Sequence, residues 1–196
     1  MYNILLEIDG SADALAALDV AMSITLPTIA VTPHYVLNTQ AIWKFVGMEK
    51  PGLIGSGPYF QAFGAIKASL YDLMDTVSES YQARCSQFQH FADLVIDEGD
   101  FVCKINERAT ELRAAVLIGK TTLFRNAEAT NKTIAEITHG INSPLIVIDQ
   151  AALFCGCGCF RLLSADAGQY RTEPLLPETL NDLLAAAPQT YMAKAA

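Results

Sequence analysis

Apolar residues fall into two kinds of run along this chain, and their alternation sets out most of the architecture. Short, nearly unbroken apolar runs stand at Tyr2–Ile8, Ala114–Ile118 and Leu145–Asp149. Runs of this length without polar alternation read as strands buried on both faces. Thr28–Leu37 and Ala92–Asp97 read as two further strands. Pro33 removes a backbone donor, so the Thr28–Leu37 strand is expected to be short, bulged or partly unpaired there.

Between the strands the apolar period changes to that of a helix. Ala14, Leu15, Leu18, Ala21 and Met22 mark a helix over Ala12–Ile24 with Ser11 as its N-cap. A long helix is predicted from Phe60 to Phe88, with Phe60, Phe63, Leu70, Leu73, Met74 and Val77 on its inner face, continued by Tyr81 and Phe88. Glu98-Gly99-Asp100 turns into a helix carrying Ile105, Ala109 and Leu112, and a last helix carries Ile134, Ile137 and Ile141. Parallel strands require crossovers, so the order β-α-β-α-β-α-β-α-β predicts an α/β fold with a doubly wound five-stranded parallel sheet.

Two stretches are expected to be irregular. Asn38–Pro58 carries the single tryptophan, Trp43, and the glycines Gly52, Gly55 and Gly57; loops of this length serve as lids or contact surfaces. Lys120–Lys132 reads as a polar loop at the carboxyl end of a buried strand, leading to a helix N-terminus. Open α/β folds place their ligands there. Residues 150–196 do not repeat the pattern of 1–149 and read as a C-terminal extension, with a short helix predicted over Pro177–Ala187.

Composition narrows the classes. Of 196 residues, 52% are hydrophobic and 17% charged, so a filled core is expected and disorder is not. A net charge of −8 argues against a nucleic-acid binder or a protein of anionic membrane surfaces. No apolar run approaches the roughly 18 residues of a membrane span. Five unevenly spaced cysteines do not suggest a secreted disulfide framework, and no secretory signal is visible, so a cytoplasmic location is expected.

The candidate chemistry is sparse. Gly119-Lys120-Thr121 resembles the end of a Walker A motif, but Ala114 stands where the leading glycine belongs. The residues between are strand, so they cannot cradle phosphate. His34, His90 and His139 show no metal-ligand spacing and are expected to be structural or solvated. No nucleophile elbow or acid/base pair argues for catalysis. Cys155, Cys157 and Cys159 alternate with glycines, which in an extended chain puts the thiols on one face, suited to Cu(I), Zn(II) or redox chemistry. The alternative is a strand of small residues with buried thiols.

Three pieces of residues 1–149 resemble the universal stress protein family. Ile4-Leu5-Leu6-Glu7-Ile8-Asp9-Gly10-Ser11 and its Ala/Leu-rich helix are similar to the family's opening strand and "VDGS" turn. Glu98-Gly99-Asp100 through Ala114–Ile118 is similar to its middle. Thr133–Ile137 with Asn142–Ile148 resembles its "SVAEHV…PVLVV" ending. The resemblance implies a sheet of order 3-2-1-4-5 and a homodimer through the last strand, Leu145–Ile148.

It also implies ATP or AMP, with magnesium, in a crevice where a G-x-x-G-x9-G-[S/T] loop cradles phosphate. Gly119 matches the first glycine and Thr133 the hydroxyl, but Thr122 and Lys132 replace the other two glycines. Asp9 is the other matched ligand residue, and it could equally cap the first helix. Val36 and Leu37 fall where the family contacts adenine. The chain is therefore expected to be a regulatory or adaptor protein with a degenerate nucleotide crevice. The alternatives are a true ATP/AMP-binding member with at most slow ATPase activity, and a metal- or redox-responsive sensor through Cys155, Cys157 and Cys159.

Overall fold

The computed structural model describes residues 2–23, 29–47, 57–86, 88, 91–149, 159–163 and 170–174. Strands β1 (Tyr2–Glu7), β2 (Ile29–Asn38), β3 (Val95–Gly99), β4 (Ala114–Gly119) and β5 (Leu145–Ile148) pair in parallel in the order 3-2-1-4-5. Side chains alternate across the sheet and build two cores. Ile4, Leu6, Leu117 and Ile146 pack under α1 (Ala12–Ser23) and the C-terminal half of α3 (Gly57–Cys85). Leu5, Val116, Ile118 and Val147 pack under α4 (Phe101–Leu112), α5 (Lys120–Thr130) and α6 (Ile134–Gly140).

Local chemistry sets most boundaries. The Ser11 hydroxyl accepts from the Ala14 N–H at 3.2 Å and caps α1. Gly99 at φ +144° turns the chain into α4, where the Asp100 carboxylate accepts from the Cys103 N–H. Thr133 and Glu136 form a reciprocal capping box on α6.

Of the effects expected of Pro33, partial unpairing is the one found. The Ile8 N–H donates to the His34 carbonyl, so His34's backbone groups face β1 and those of Pro33 face β3. There the ladder is interrupted: beyond a bridge from Val31 to Phe91, β3 pairs only from His34 onward. The missing donor falls in that gap, and β2 runs unbroken over ten residues.

Four expectations are corrected. The predicted polar loop Lys120–Lys132 is largely the helix α5, because Thr122, Leu123 and Ala127 supply a buried face and no glycine interrupts it. Part of the stretch 38–58 is likewise helical: α2 (Thr39–Phe45) is capped by the Asn38 side chain, which accepts from the Ala41 N–H at 3.1 Å. In α3 only Met74, Tyr81 and Cys85 are buried, while Phe60 and Leu73 are each 49% exposed. At 1.5 Å per residue this helix is about 43 Å long, so it overhangs a sheet whose parallel strands are four to ten residues long. Gly52, Gly55 and the predicted Pro177–Ala187 helix lie outside the described residues.

The fourth correction concerns the sheet edge. Part of the extension joins the sheet as an antiparallel pair, β6 (Cys159–Leu163) and β7 (Tyr170–Pro174). β6 lies on the open side of β5, pairing Leu145 with Leu163 and Val147 with Arg161. The edge expected to carry a homodimer is thus occupied by the chain itself. Light scattering is expected to give a monomer, and a chain ended at residue 149 is expected to self-associate through the bared backbone groups of β5. Equal masses per particle in both forms would contradict this assignment.

Candidate functional site

The carboxyl ends of β1 and β2, together with α2, α3 and α5, enclose a cavity of about 610 Å³. α2 forms one wall, since Asn38 at its cap donates to Asn126 of α5 at 2.9 Å and Lys44 donates to the Glu128 carbonyl at 2.8 Å. On its other side Trp43 stacks on Phe63 of α3, with centroids 4.1 Å apart, and meets Phe60 edge-on. The Trp43 segment thus forms a wall of the crevice. Its sequence signal was Asn38 three residues before Ala41, a helix N-cap ahead of the apolar Ile42.

The cavity has two characters. Ile42, Phe45, Ile66, Leu70 and Met74 line its apolar end. Glu7, Asp9, Tyr35, Thr122 and Arg125 line the polar end. Asp9 accepts from the Ser11 N–H at 2.9 Å and pairs with the largely exposed Arg125 at 3.4 Å. It braces the turn into α1 and faces the cavity at once.

Behind Glu7 runs a buried polar chain. Glu7 Oε1 meets His34 Nδ1, His34 Nε2 lies 3.0 Å from Asp97 Oδ2, and Arg108 grips both oxygens of Asp97. His34 is fully buried. Burial pulls its pKa down, but Glu7 and Asp97 outweigh this and hold it above the ordinary value. Burial, partly offset by His34, holds Glu7 up. Asp97 sits low because its bonds to His34 and Arg108 outweigh its own burial. Burial, reinforced by Asp9 and Glu7, pushes Tyr35 up to about 12, so it stays a phenol. Sequence reasoning placed His34 as structural; its partners lie 27 and 63 residues away and were invisible there.

The predicted phosphate loop is arranged differently. Gly119 directly precedes α5, and no side chain of its own caps that helix. Asp13 of α1 does so instead: the Thr121 N–H and hydroxyl both donate to Asp13 Oδ2, the former at 2.8 Å. Eleven helical residues, about 16 Å, separate Gly119 from Lys132. Lys132 is exposed, and Thr133 caps α6. Of the residues predicted from the resemblance, Asp9, Val36 and Thr122 share the cavity, whereas Leu37, Gly119, Lys132 and Thr133 are not among its lining residues.

Cys155 and Cys157 lie outside the described residues, and Cys159 opens β6. Among the described residues no group of three His, Cys, Asp or Glu side chains is placed to hold a metal. None of their helices is long and apolar enough to cross a membrane.

Fold and crevice together define a doubly wound α/β protein of order 3-2-1-4-5 with a cavity at the carboxyl ends of its first two strands. The chain is similar to a hypothetical protein whose biochemical function was assigned from its structure, at 18% identity and TM-score 0.53, over 74% of this chain and 94% of that one. It is also similar to a universal stress protein family member from Burkholderia pseudomallei, at 18% identity and TM-score 0.49, over 74% of this chain and 94% of the other. Universal stress protein UspA from Lactobacillus plantarum aligns at 16% identity and TM-score 0.48, over 76% and 97%. At these identities the likeness is one of fold, and the fold is the one that the universal stress protein resemblance implies. No protein-family model and no curated protein matches the chain.

Proposed function

We propose that this chain is a cytoplasmic, non-enzymatic regulatory or adaptor protein on a universal-stress-like scaffold, whose crevice does not hold the phosphates of a nucleotide. The observation that carries this reading is the Asp13 carboxylate on the N-terminus of α5. A helix N-terminus attracts an anion through its free N–H groups and its dipole. Here a side chain of the protein already supplies that anion. The carboxylates of Glu7 and Asp9 on the cavity wall add repulsion toward phosphate, and Arg125 is engaged by Asp9.

The opposing reading is a true ATP- or AMP-binding protein with magnesium. In its favour, Asp9, Val36 and Thr122 share a cavity within the range of small-molecule sites. Thermal-shift titration with ATP, ADP and AMP, with and without magnesium, separates the two readings. No shift is expected from any of them. Stabilisation by one of them at micromolar concentration removes the first reading in favour of the second.

A further inference from the structure

We infer that the cavity between α2, α3 and α5 binds a small molecule with an apolar body and a head that carries N–H or O–H donors and no negative charge. This rests on the proposal that the crevice is closed to nucleotide phosphate and names what it takes instead.

The body follows from the wall. Ile42, Ile66, Leu70 and Met74 face a space within the usual size of ligand pockets. At its margin, Phe45 is 81% and Leu73 49% exposed. These are large apolar surfaces left in water that a bound molecule would cover.

The head follows from the polar end. Glu7 is buried and uses only Oε1, toward His34; Oε2 has no protein partner among the described residues. Tyr35 also lines the cavity, and among the described residues no hydrogen bond engages its hydroxyl. Thr122 is 3% exposed, and its Oγ1 is buried without any partner. Rotation about its Cα–Cβ bond exchanges this oxygen with the methyl group, so the hydroxyl can turn toward an occupant. Buried polar groups in folded proteins are almost always paired. Thr122 Oγ1 is the one such atom left unpaired among the described residues, and with Glu7 and Tyr35 on the same lining it marks where a ligand's polar atoms belong.

The charge of the head follows from what is already paired. Asp9 engages Arg125, and Lys44 donates to the Glu128 carbonyl and to Asn131 Oδ1 at 2.5 Å. Both cations of the cavity wall thus have partners, while Glu7 offers a free acceptor. A hydroxyl or ammonium donates to Glu7 and accepts from, or sits beside, Tyr35 and Thr122. A carboxylate or phosphate would face Glu7 and Asp9, with Arg125 already drawn to Asp9 and Lys44 turned to α5.

The test uses the full chain and three probes with one body: phenylbutanol, phenylbutylamine and phenylbutyrate. Trp43 is the only tryptophan and lies in the cavity-wall helix α2, so its emission reports occupancy, with thermal shift as the second readout. The alcohol and the amine are expected to saturate, and the acid to bind about tenfold more weakly or not at all. Thr122→Val keeps the shape and removes the hydroxyl. It is expected to raise the melting temperature of the free protein while weakening the alcohol about tenfold. Equal binding of all three probes, absence of binding by the alcohol and amine, or unchanged alcohol binding in Thr122→Val would overturn the inference. An AMP titration run alongside keeps the two proposals apart. Stabilisation by AMP defeats the closed-crevice reading, whereas silence from AMP and from the alcohol and amine defeats only this one.

Discussion

His34→Ala is expected to cost about 3–5 kcal/mol, the usual penalty for removing one partner of a buried ion pair, and so a large share of the stability of a domain this size. His34 is fully buried with a carboxylate on each ring nitrogen. Without it, Glu7 is left buried with no partner, and Asp97 keeps only Arg108. Adding Glu7→Gln to His34→Ala is expected to recover part of the loss, because the stranded charge disappears. Urea melts of the single and double variants measure both effects. A loss below about 1 kcal/mol in His34→Ala would mean that the chain is not a buried ionic relay.

The same relay gives the stability a pH dependence. His34 has its folded pKa above the ordinary 6.5, so its contribution is fully present below that value and is lost as pH rises through the folded one. Glu7, held above 4.5, has the same sign: its contribution also declines as pH rises. Asp97 has the opposite sign, contributing above 3.8 and failing only as pH falls through its lowered folded value. The melting temperature is therefore expected to be highest in mild acid and to fall as pH rises above 6.5 through the raised folded pKa of His34. That slope should flatten in His34→Ala.

Gly119→Ala is the second large effect, at about 2–4 kcal/mol, combining overpacking with a disturbed helix cap. Gly119 has φ −71° and ψ 142°, a backbone any residue adopts, so glycine is needed there for space. An added Cβ would stand 2.8 Å from Asp13 Cβ and 2.9 Å from the Ala14 nitrogen. The latter is backbone at the start of α1 and cannot swing aside, so α1 would have to retreat and take the Asp13 cap with it. Asp13→Ala, which removes the cap without adding bulk, is expected to cost about 1 kcal/mol. Thermal or urea unfolding of the ligand-free proteins gives the ranking. If Gly119→Ala left stability intact, glycine at this position would need another explanation, such as close approach of a ligand.

Asp13 also shows where sequence reading stopped. The resemblance assigned Gly119 to phosphate, and nothing near it in sequence revealed that a carboxylate 108 residues away sits on the helix that follows. The polar composition of Lys120–Lys132 read as loop because three buried side chains in eleven make a faint stripe. Burial of Thr122, Leu123 and Ala127 against the α4/α6 side of the sheet nevertheless holds it helical. Half of the cavity was legible: Asp9, Val36 and Thr122 came from motif positions. The apolar half was not, because α2 was hidden within an apparently irregular stretch.

The sequence by itself determined the five parallel strands, four of the helices between them, and the local turns and caps at Ser11, Gly99-Asp100 and Thr133-Glu136. These depend on periodicity and on contacts within a few residues, which are written in adjacent positions. Tertiary structure alone decided that α3 overhangs the sheet, that β6 covers the edge of β5, and that Glu7, His34, Asp97 and Arg108 join into one chain. Periodicity shows which face of an element is apolar. Which surface comes to cover that face, and which distant charge meets which, is settled only when the layers pack.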